Sequence, residues 1–271
     1  MTAGQPVDAG SPSGQRAPTR IEIIPIRGLP EVRSGDDLAR LIAKHAPDLR
    51  TGDVLAVAQK VVSKAEGRVV RLADVVPGAR ALEMAAESGK DARQLEVVLG
   101  ETKTIVRWTR GVLISETHHG FICANAGVDR SNAGEPDAVV LLPVDPDASA
   151  AELRRALREI CGADVAIVIT DTFGRAWREG HMNVAIGIAG LPALKRYAGQ
   201  YDPQGYELRI TEIAVADEVA AAAELVMGKL DRNPAAIVRG LGIDFGAADA
   251  ASASEATAQE YVRAAERDLF R

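Results

Sequence analysis

The sequence predicts a mixed α+β protein rather than a regular alternation of strands and helices. Short apolar runs typical of strands occur both in neighbouring groups and beside helical patterns, and no unit repeats at a fixed period. The 271 residues are 47% hydrophobic and 26% charged, which is the balance of a globular protein with a substantial core. At this length we expect one large or two interlocked domains, since single cores stop growing at roughly 250–300 residues.

The first half of the chain predicts a strand, a helix and a second strand. The run IEIIPI at 21–26 is typical of a strand, and Ser34 is predicted to cap the helix that follows. The run DVLAVAQKVVSK at 53–64 predicts a buried strand, which would place Lys60 and Lys64 at its polar end. A loosely helical region and then two or three strands are expected next.

The central third has the clearest pattern. Ser149 and Glu152 form a predicted capping box for a helix over 150–160. Gly162 is predicted to end that helix. Val165–Thr170 is almost entirely apolar, as expected for a strand buried on both faces, and it leads into the polar segment TDTFGRAWREG. The remaining predicted elements are a strand in AVVLLP at 138–143, a strand at 206–217, a helix at 219–227 and a strand at 235–240.

Charge and the ends of the chain limit the choice of partner and compartment. Lys and Arg number 32 against 38 Asp and Glu, a net charge of −6, which disfavours a nucleic-acid partner. No apolar run reaches the ~18 residues of a membrane span, so we expect a cytoplasmic protein. Residues 1–19 are predicted to be a flexible tail and 20–246 the folded domain. Residues 247–271 are predicted to be a low-complexity segment followed by a short amphipathic helix.

Two common nucleotide motifs are absent. No GxxxxGK[ST] sequence occurs, so the chain has no P-loop. The run GLGIDFG at 240–246 begins like a dinucleotide fingerprint, but no helical apolar pattern follows it. The chain therefore lacks the motif that a nicotinamide-dependent oxidoreductase would need.

Two polar segments follow predicted strands and carry candidate metal ligands. Asp129 lies in NAGVDRSNAG, among glycines and short side chains, and Asp171 and Thr172 begin the second segment. Carboxylate and hydroxyl oxygens suit Mg²⁺ or Mn²⁺. Taken singly, each aspartate could equally cap a turn.

The two lysines of the segment at 53–64 favour a binding site over the interpretation that each aspartate only caps a turn. Lys60 and Lys64 would repel each other at the end of an apolar strand, and a bound anion would relieve that repulsion. Two carboxylates about 4 Å apart repel by roughly 4 kcal/mol at an effective dielectric of 20, so Asp129 and Asp171 would need a cation if they meet. These residues predict an oxygen-ligand metal site beside a basic phosphate site, and thus phosphoryl-transfer chemistry. A divalent-metal-dependent phosphatase or kinase would use the same residues and remains an open alternative.

An ordered set of segments resembles one family closely. The segments are IEIIPIRGLPEV, GDVLAVAQKVVSKAEG, NAGVDRSNAG, LLPVDPDASA, VAIVITDTFGRAWREG, AIGIAGL, YAGQYDPQGYEL, VADEVAAAAELVMGK and AAIVRG. In this order they resemble the coenzyme F-420-0:L-glutamate ligase family over about 21–242. The resemblance implies a GTP-dependent ligase that joins L-glutamate to F-420-0 through an acyl phosphate, releasing GDP and phosphate. An alternative is a non-catalytic protein that binds F-420-0, a deazaflavin, and does not bind GTP.

The resemblance also assigns roles to residues and implies partners. It implies Mg²⁺ or Mn²⁺, two ions per active site, and leaves open whether K⁺ takes part. It further implies an intertwined homodimer of two interlocked lobes. Lys229 departs from the family, because many relatives have an acidic residue in that region. The implied nucleotide contacts are Leu29, Pro30, Glu31, Val32, Gln59, Lys64 and Asn132, the metal ligands are Asp129, Asp171 and Thr172, and the catalytic residues are Asp129, Asp171 and Lys64.

Overall fold

The computed structural model describes residues 20–242 and 256–268. The predicted tail at 1–19 and most of the predicted low-complexity segment lie outside the described residues. No helix in the described part is long and apolar enough to cross a membrane.

The described residues form fourteen strands and six α-helices, numbered in chain order. The strands are β1 (Glu22–Pro25), β2 (Val54–Ala58), β3 (Val69–Arg71), β4 (Thr102–Thr109), β5 (Val112–Thr117), β6 (Ile122–Ala124), β7 (Ala138–Val140), β8 (Ala166–Arg175), β9 (Arg178–Ala189), β10 (Leu194–Arg196), β11 (Gln200–Tyr201), β12 (Glu207–Leu208), β13 (Glu212–Ala214) and β14 (Ala235–Arg239). The helices are α1 (Leu38–His45), α2 (Gln59–Ala65), α3 (Ala79–Ser88), α4 (Ala92–Gly100), α5 (Pro146–Cys161) and α6 (Val215–Met227).

The main sheet has five strands in the order β1-β14-β2-β8-β9. Within it β2 and β8 are parallel, and the other neighbours are antiparallel. Side chains of β8 alternate between two cores, because successive residues of a strand point to opposite faces. Ile167 and Ile169 pack with α1 and α5, and Ala166 and Val168 pack with α6. The α+β class and the prediction of a strand buried on both faces are therefore confirmed.

A third apolar core lies away from the main sheet. It forms where α3 and α4 pack near the sheet β4-β5-β6 and near the β3-β7 pair. Met84 and Leu95 from the two helices and Leu113 from β5 are fully or almost fully buried in it. This part of the structure also carries the loop of Asp129 toward the main sheet, because Asp129 exchanges backbone hydrogen bonds with Val140 of β7.

Both predicted N-caps were wrong. The N-cap of α1 is Asp37, whose carboxylate accepts from the amide of Arg40 at 3.0 Å, and not Ser34. The N-cap of α5 is Asp145, so this helix begins three residues before Ser149. Pro146 is tolerated in the first turn of α5 because the amide that it lacks would have no partner inside the helix there. Gly162 ends α5 in the left-handed conformation, as predicted.

Four predicted segments have a different structure. The strand predicted over 53–64 ends at Ala58, and the lysines lie on α2 instead. The polar residues after Thr170 continue β8, because they pair with β9 in a long hairpin. The strand predicted over 206–217 is divided into β12, β13 and the first turn of α6. The predicted C-terminal helix is two short 3₁₀ turns at Ala258–Tyr261 and Ala265–Arg267.

Candidate active site

A cavity of about 1010 Å³ opens at the carboxyl ends of the parallel strands β2 and β8. Ala58 and Thr170 pair at this edge. Beyond it β2 turns into α2, whereas β8 continues through Asp171. Every site residue that the sequence predicted lines this cavity: Leu29, Pro30, Glu31, Val32, Gln59, Lys64, Asp129, Asn132, Asp171 and Thr172.

Asp129 is held by a lysine and a serine. The ammonium nitrogen of Lys60 lies 2.5 Å from Oδ2 of Asp129 and donates to the hydroxyl of Ser131 at 2.6 Å. Ser131 donates to the same carboxylate through its amide at 2.8 Å and its hydroxyl at 2.7 Å. Burial raises the pKa of Asp129, but these donors outweigh burial and hold its pKa below the usual value. Asp129 is therefore ionised at neutral pH.

Asp171 has the opposite tendency. Burial, with a smaller contribution from the nearby charge of Asp129, raises the pKa of its carboxyl group to about 6. The amide of Thr172 and the ammonium groups of Lys60 and Lys229 only partly compensate. The two acids therefore interact, and a bound cation would stabilise the ionised form of Asp171.

The donor set fits a magnesium-like ion. Asp129, Asp171 and Thr172 offer two carboxylates and one hydroxyl around one cavity. No cluster of three or more His, Cys, Asp or Glu occurs in the described ranges, so protein groups alone do not build a closed metal cage. Mg²⁺ typically uses one or two carboxylates and completes its octahedron with water and substrate phosphates. These residues therefore suit an ion that is completed by a phosphorylated substrate.

A polar network behind Thr172 was missed by the sequence analysis. The hydroxyl of Thr172 donates to Oδ1 of Asn183 at 2.7 Å, and Nδ2 of Asn183 donates to Glu224 at 2.9 Å. The ammonium of Lys229 donates to the hydroxyl of Thr172 and lies 3.9 Å from Glu224. One signal was present in the sequence, because Glu224 interrupts the otherwise apolar stretch 219–227. Asn183 on β9 had no comparable signal.

The other end of the cavity carries a lysine paired with a glutamate and a buried amide donor. Nζ of Lys64 lies 2.5 Å from the carboxylate of Glu31 and donates to the carbonyl of Asn132 at 3.2 Å. The side-chain oxygen of Gln59 accepts from Ser63 at 2.9 Å. Nε2 of Gln59 is buried and has no hydrogen-bond partner among the described residues. A buried amide without a partner costs about 1–3 kcal/mol, which a ligand acceptor would recover.

Carboxylates and lysine ammonium groups meet around one cavity, and this arrangement suits an enzyme site for anionic substrates. A family model described as F420-0:Gamma-glutamyl ligase matches residues 27–240. The chain belongs to this family and is an enzyme of the ligase class.

Three curated relatives support this assignment, and each is named Coenzyme F420:L-glutamate ligase. The protein from Methanopyrus kandleri is 48% identical over 93% of this chain and 97% of its own length. The protein from Methanothermobacter thermautotrophicus is 45% identical over 81% and 89%, respectively. The protein from Archaeoglobus fulgidus is 42% identical over 93% and 97%.

Proposed function

We propose that this ligase joins L-glutamate to coenzyme F-420-0 in a GTP-dependent reaction that releases GDP and phosphate. The observation that supports it best is the meeting of Asp129, Asp171 and Lys64 in one cavity, although they lie far apart in the sequence. The names of the curated relatives support the part of this proposal that concerns ligation of L-glutamate to coenzyme F420. The cavity is at the upper end of the range for a single small-molecule site, which leaves room for more than one substrate.

The chemistry requires activation of a carboxylate. A carboxylate oxygen of the acceptor bonds to the γ-phosphorus of GTP while the bond from that phosphorus to the bridging oxygen of GDP breaks. The amine of glutamate then attacks the acyl carbon, phosphate leaves, and the amine loses a proton. Activation is needed because an unactivated carboxylate would have to expel oxide.

Different residues of the cavity would bind the metal ion and the nucleotide. Asp129, Asp171 and Thr172 would hold Mg²⁺ or Mn²⁺, which neutralises charge on phosphate oxygens when bound. Lys64 offers a charge-assisted contact to phosphate, and the Nε2 donor of Gln59 lies at the same end. The segment 29–32 with Asn132 completes the proposed nucleotide end. Two ions per site and a role for K⁺ remain predictions.

The proposal includes a homodimer. Several large apolar side chains are exposed on the single chain, including Leu225 at 81% and Leu230 at 92% exposure. Leu225 lies near the end of α6, and Leu230 lines the cavity just after this helix. A second copy packed over this region would bury both residues and cover one edge of the site. Sedimentation velocity on the full chain tests this, and a monomer at micromolar concentration would contradict it.

Mass spectrometry gives the direct test of the reaction. We expect F-420-0 incubated with enzyme, GTP, L-glutamate and Mg²⁺ or Mn²⁺ to gain the mass of one or more glutamyl units. Omitting GTP or the metal should abolish the product. GDP release without any glutamyl product, at the same rate without glutamate, would favour the phosphatase or kinase alternative instead.

A further inference from the structure

Lys60 contacts Asp129, which is a predicted metal ligand, yet the family resemblance assigns Lys60 no role. It is the second residue of α2, and its side chain is 19% exposed. Its ammonium bonds both Asp129 and Ser131, as described above. It also lies near enough to Asp171 to oppose the rise in the pKa of that acid. Lys60 is therefore the hydrogen-bonded counterion of Asp129 and one of two lysines whose charges act on Asp171.

A divalent cation and this ammonium compete for the same carboxylate. Oδ2 of Asp129 already accepts from Lys60 at 2.5 Å and from the hydroxyl of Ser131 at 2.7 Å. A metal ion on the same carboxylate would stand within a few ångströms of the ammonium, and two cations at that distance repel strongly. Binding of the ion should therefore move the ammonium away from Asp129.

The position of Lys60 on the helix limits where the ammonium can go. Residues four apart on a helix share a face, so Lys60 and Lys64 project from the same side of α2. Both line the cavity, Lys60 beside the acids and Lys64 beside Glu31. One helical turn is about 5.4 Å, comparable to the span of a triphosphate. A triphosphate that contacts Lys64 would place its terminal phosphate near the freed ammonium of Lys60.

We propose that Lys60 is a catalytic residue. When the divalent ion binds, the ammonium group of Lys60 leaves Asp129 and instead contacts the phosphoryl group that is transferred. This inference rests on the proposed ligase function. As the acceptor carboxylate bonds to the γ-phosphorus and the bond to GDP breaks, two anionic groups are brought together. The ammonium of Lys60 donates to the phosphoryl oxygens at that stage and keeps its proton throughout.

The exchange can be measured without substrates. We would titrate Mn²⁺ by calorimetry into wild type, Lys60→Met and Lys60→Arg at pH 8, above the wild-type pKa of Asp171, which is about 6. Lys64→Met is the matched control, because it removes a lysine from the same face of the same helix but not from a predicted metal ligand. We expect Lys60→Met to bind Mn²⁺ about tenfold more tightly, since no ammonium has to be displaced. The other two variants should stay within about twofold of wild type.

Unchanged or weaker Mn²⁺ binding by folded Lys60→Met would overturn the exchange. If that variant does not fold, the wild-type protein gives the answer by NMR after reductive ¹³C-methylation of its lysines. Lys60→Arg identifies the Lys60 resonance by its absence. The resonance should shift on addition of Mg²⁺, and a stationary resonance would overturn the exchange equally.

A second arm separates the role of Lys60 from the ligase assignment. With all substrates and saturating Mg²⁺, Lys60→Met should lower kcat by about 10²–10³-fold, as loss of a transition-state donor does. The KM for GTP should change by less than about threefold, whereas Lys64→Met should raise it more. Wild-type product with an unchanged kcat in Lys60→Met would overturn only the role of Lys60. Absence of product from wild type would overturn the ligase function and this catalytic role together, and the Mn²⁺ titration would still decide the exchange.

Discussion

The amide of Ala258 donates to the carboxylate of Asp147, 111 residues earlier in the chain, at 3.0 Å. Asp147 lies in the first turn of α5 and also accepts from the amide of Ile188 on β9 at 2.8 Å. One carboxylate therefore links the C-terminal segment 256–268 to the main sheet. Ala258 is fully buried at this contact. The segment packs on the folded domain although its sequence is poor in large apolar residues.

Removing this segment should destabilise the protein. A chain ending at residue 255 would lose the hydrogen bonds to Asp147 and the packing of Tyr261 against both faces of the sheet. We expect thermal unfolding to occur at least ~5 °C lower, equivalent to about 2 kcal/mol at this size. Deletion of 1–19 is the control, and we expect it to leave Tm unchanged. Equal Tm values for both truncations would show that the C-terminal contacts do not stabilise the fold.

The hydroxyl of Tyr261 accounts for part of this effect. It donates to the carbonyl of Ala193 at 2.5 Å and accepts from the amide of Ala216 at 3.2 Å. Tyr261→Phe leaves both backbone groups without this partner, so we expect a loss of about 1–3 kcal/mol in the free energy of unfolding. Urea denaturation would measure it. Tyr206→Phe is the control, because Tyr206 is 68% exposed and should cost almost nothing.

The two acids of the site should affect stability with opposite signs. The pKa of Asp171 is raised to about 6, so burial of its charge destabilises the fold as pH rises from about 4 to above 6. Asp171→Asn should therefore be more stable than wild type by about 2–3 kcal/mol at pH 8 without metal, and nearly equal to wild type at pH 4. Guanidinium denaturation at both pH values would measure this.

Asp129→Asn serves as the internal comparison. The pKa of Asp129 is lowered, so its charged form contributes stability at neutral pH that is lost as pH falls through its folded pKa. Asp129→Asn should therefore be less stable than wild type at pH 8. Both variants should abolish turnover, because an amide oxygen ligates a hard cation without supplying its charge. The same sign of stability change in both variants at pH 8 would contradict the assigned environments.

The structure brings the predicted site residues to one cavity, but the sequence did not predict all of the elements that carry them. The strand at Val165–Thr170 was predictable because every residue in it except Ala166 is β-branched. Residues 59–65 were not, because Val61 and Val62 favour a strand as strongly as the preceding residues do. The helix forms where β2 ends, at Ala58, and its lysines lie beside acids from distant segments. Such tertiary context leaves no local pattern in the sequence.

Lys64 should discriminate between nucleotide and amino acid. Its ammonium lies at the proposed nucleotide end, bonded to Glu31 and the carbonyl of Asn132. Lys64→Met should weaken GTP binding by about 1.5–3 kcal/mol, the value of a charge-assisted hydrogen bond, with little effect on glutamate. Calorimetry with each ligand would measure both, with Lys44→Met on the exposed side of α1 as the control. An unchanged affinity for GTP would make Lys64 a structural partner of Glu31 only.

Nucleotide turnover should depend on both of the other substrates. An acyl phosphate is lost to water unless the amine is in place, so a ligase of this kind gains from slow hydrolysis until every substrate is bound. We expect GDP release to be strongly stimulated only when F-420-0 and L-glutamate are both present, with one phosphate released for each amide bond formed. The measurement is GDP release alongside mass spectrometry of the product, with the omission of each substrate in turn as the control. Rapid GDP release that is indifferent to glutamate, with no new amide bond, would refute the acyl-phosphate route and leave the acids and lysines of this cavity serving simple phosphoryl transfer.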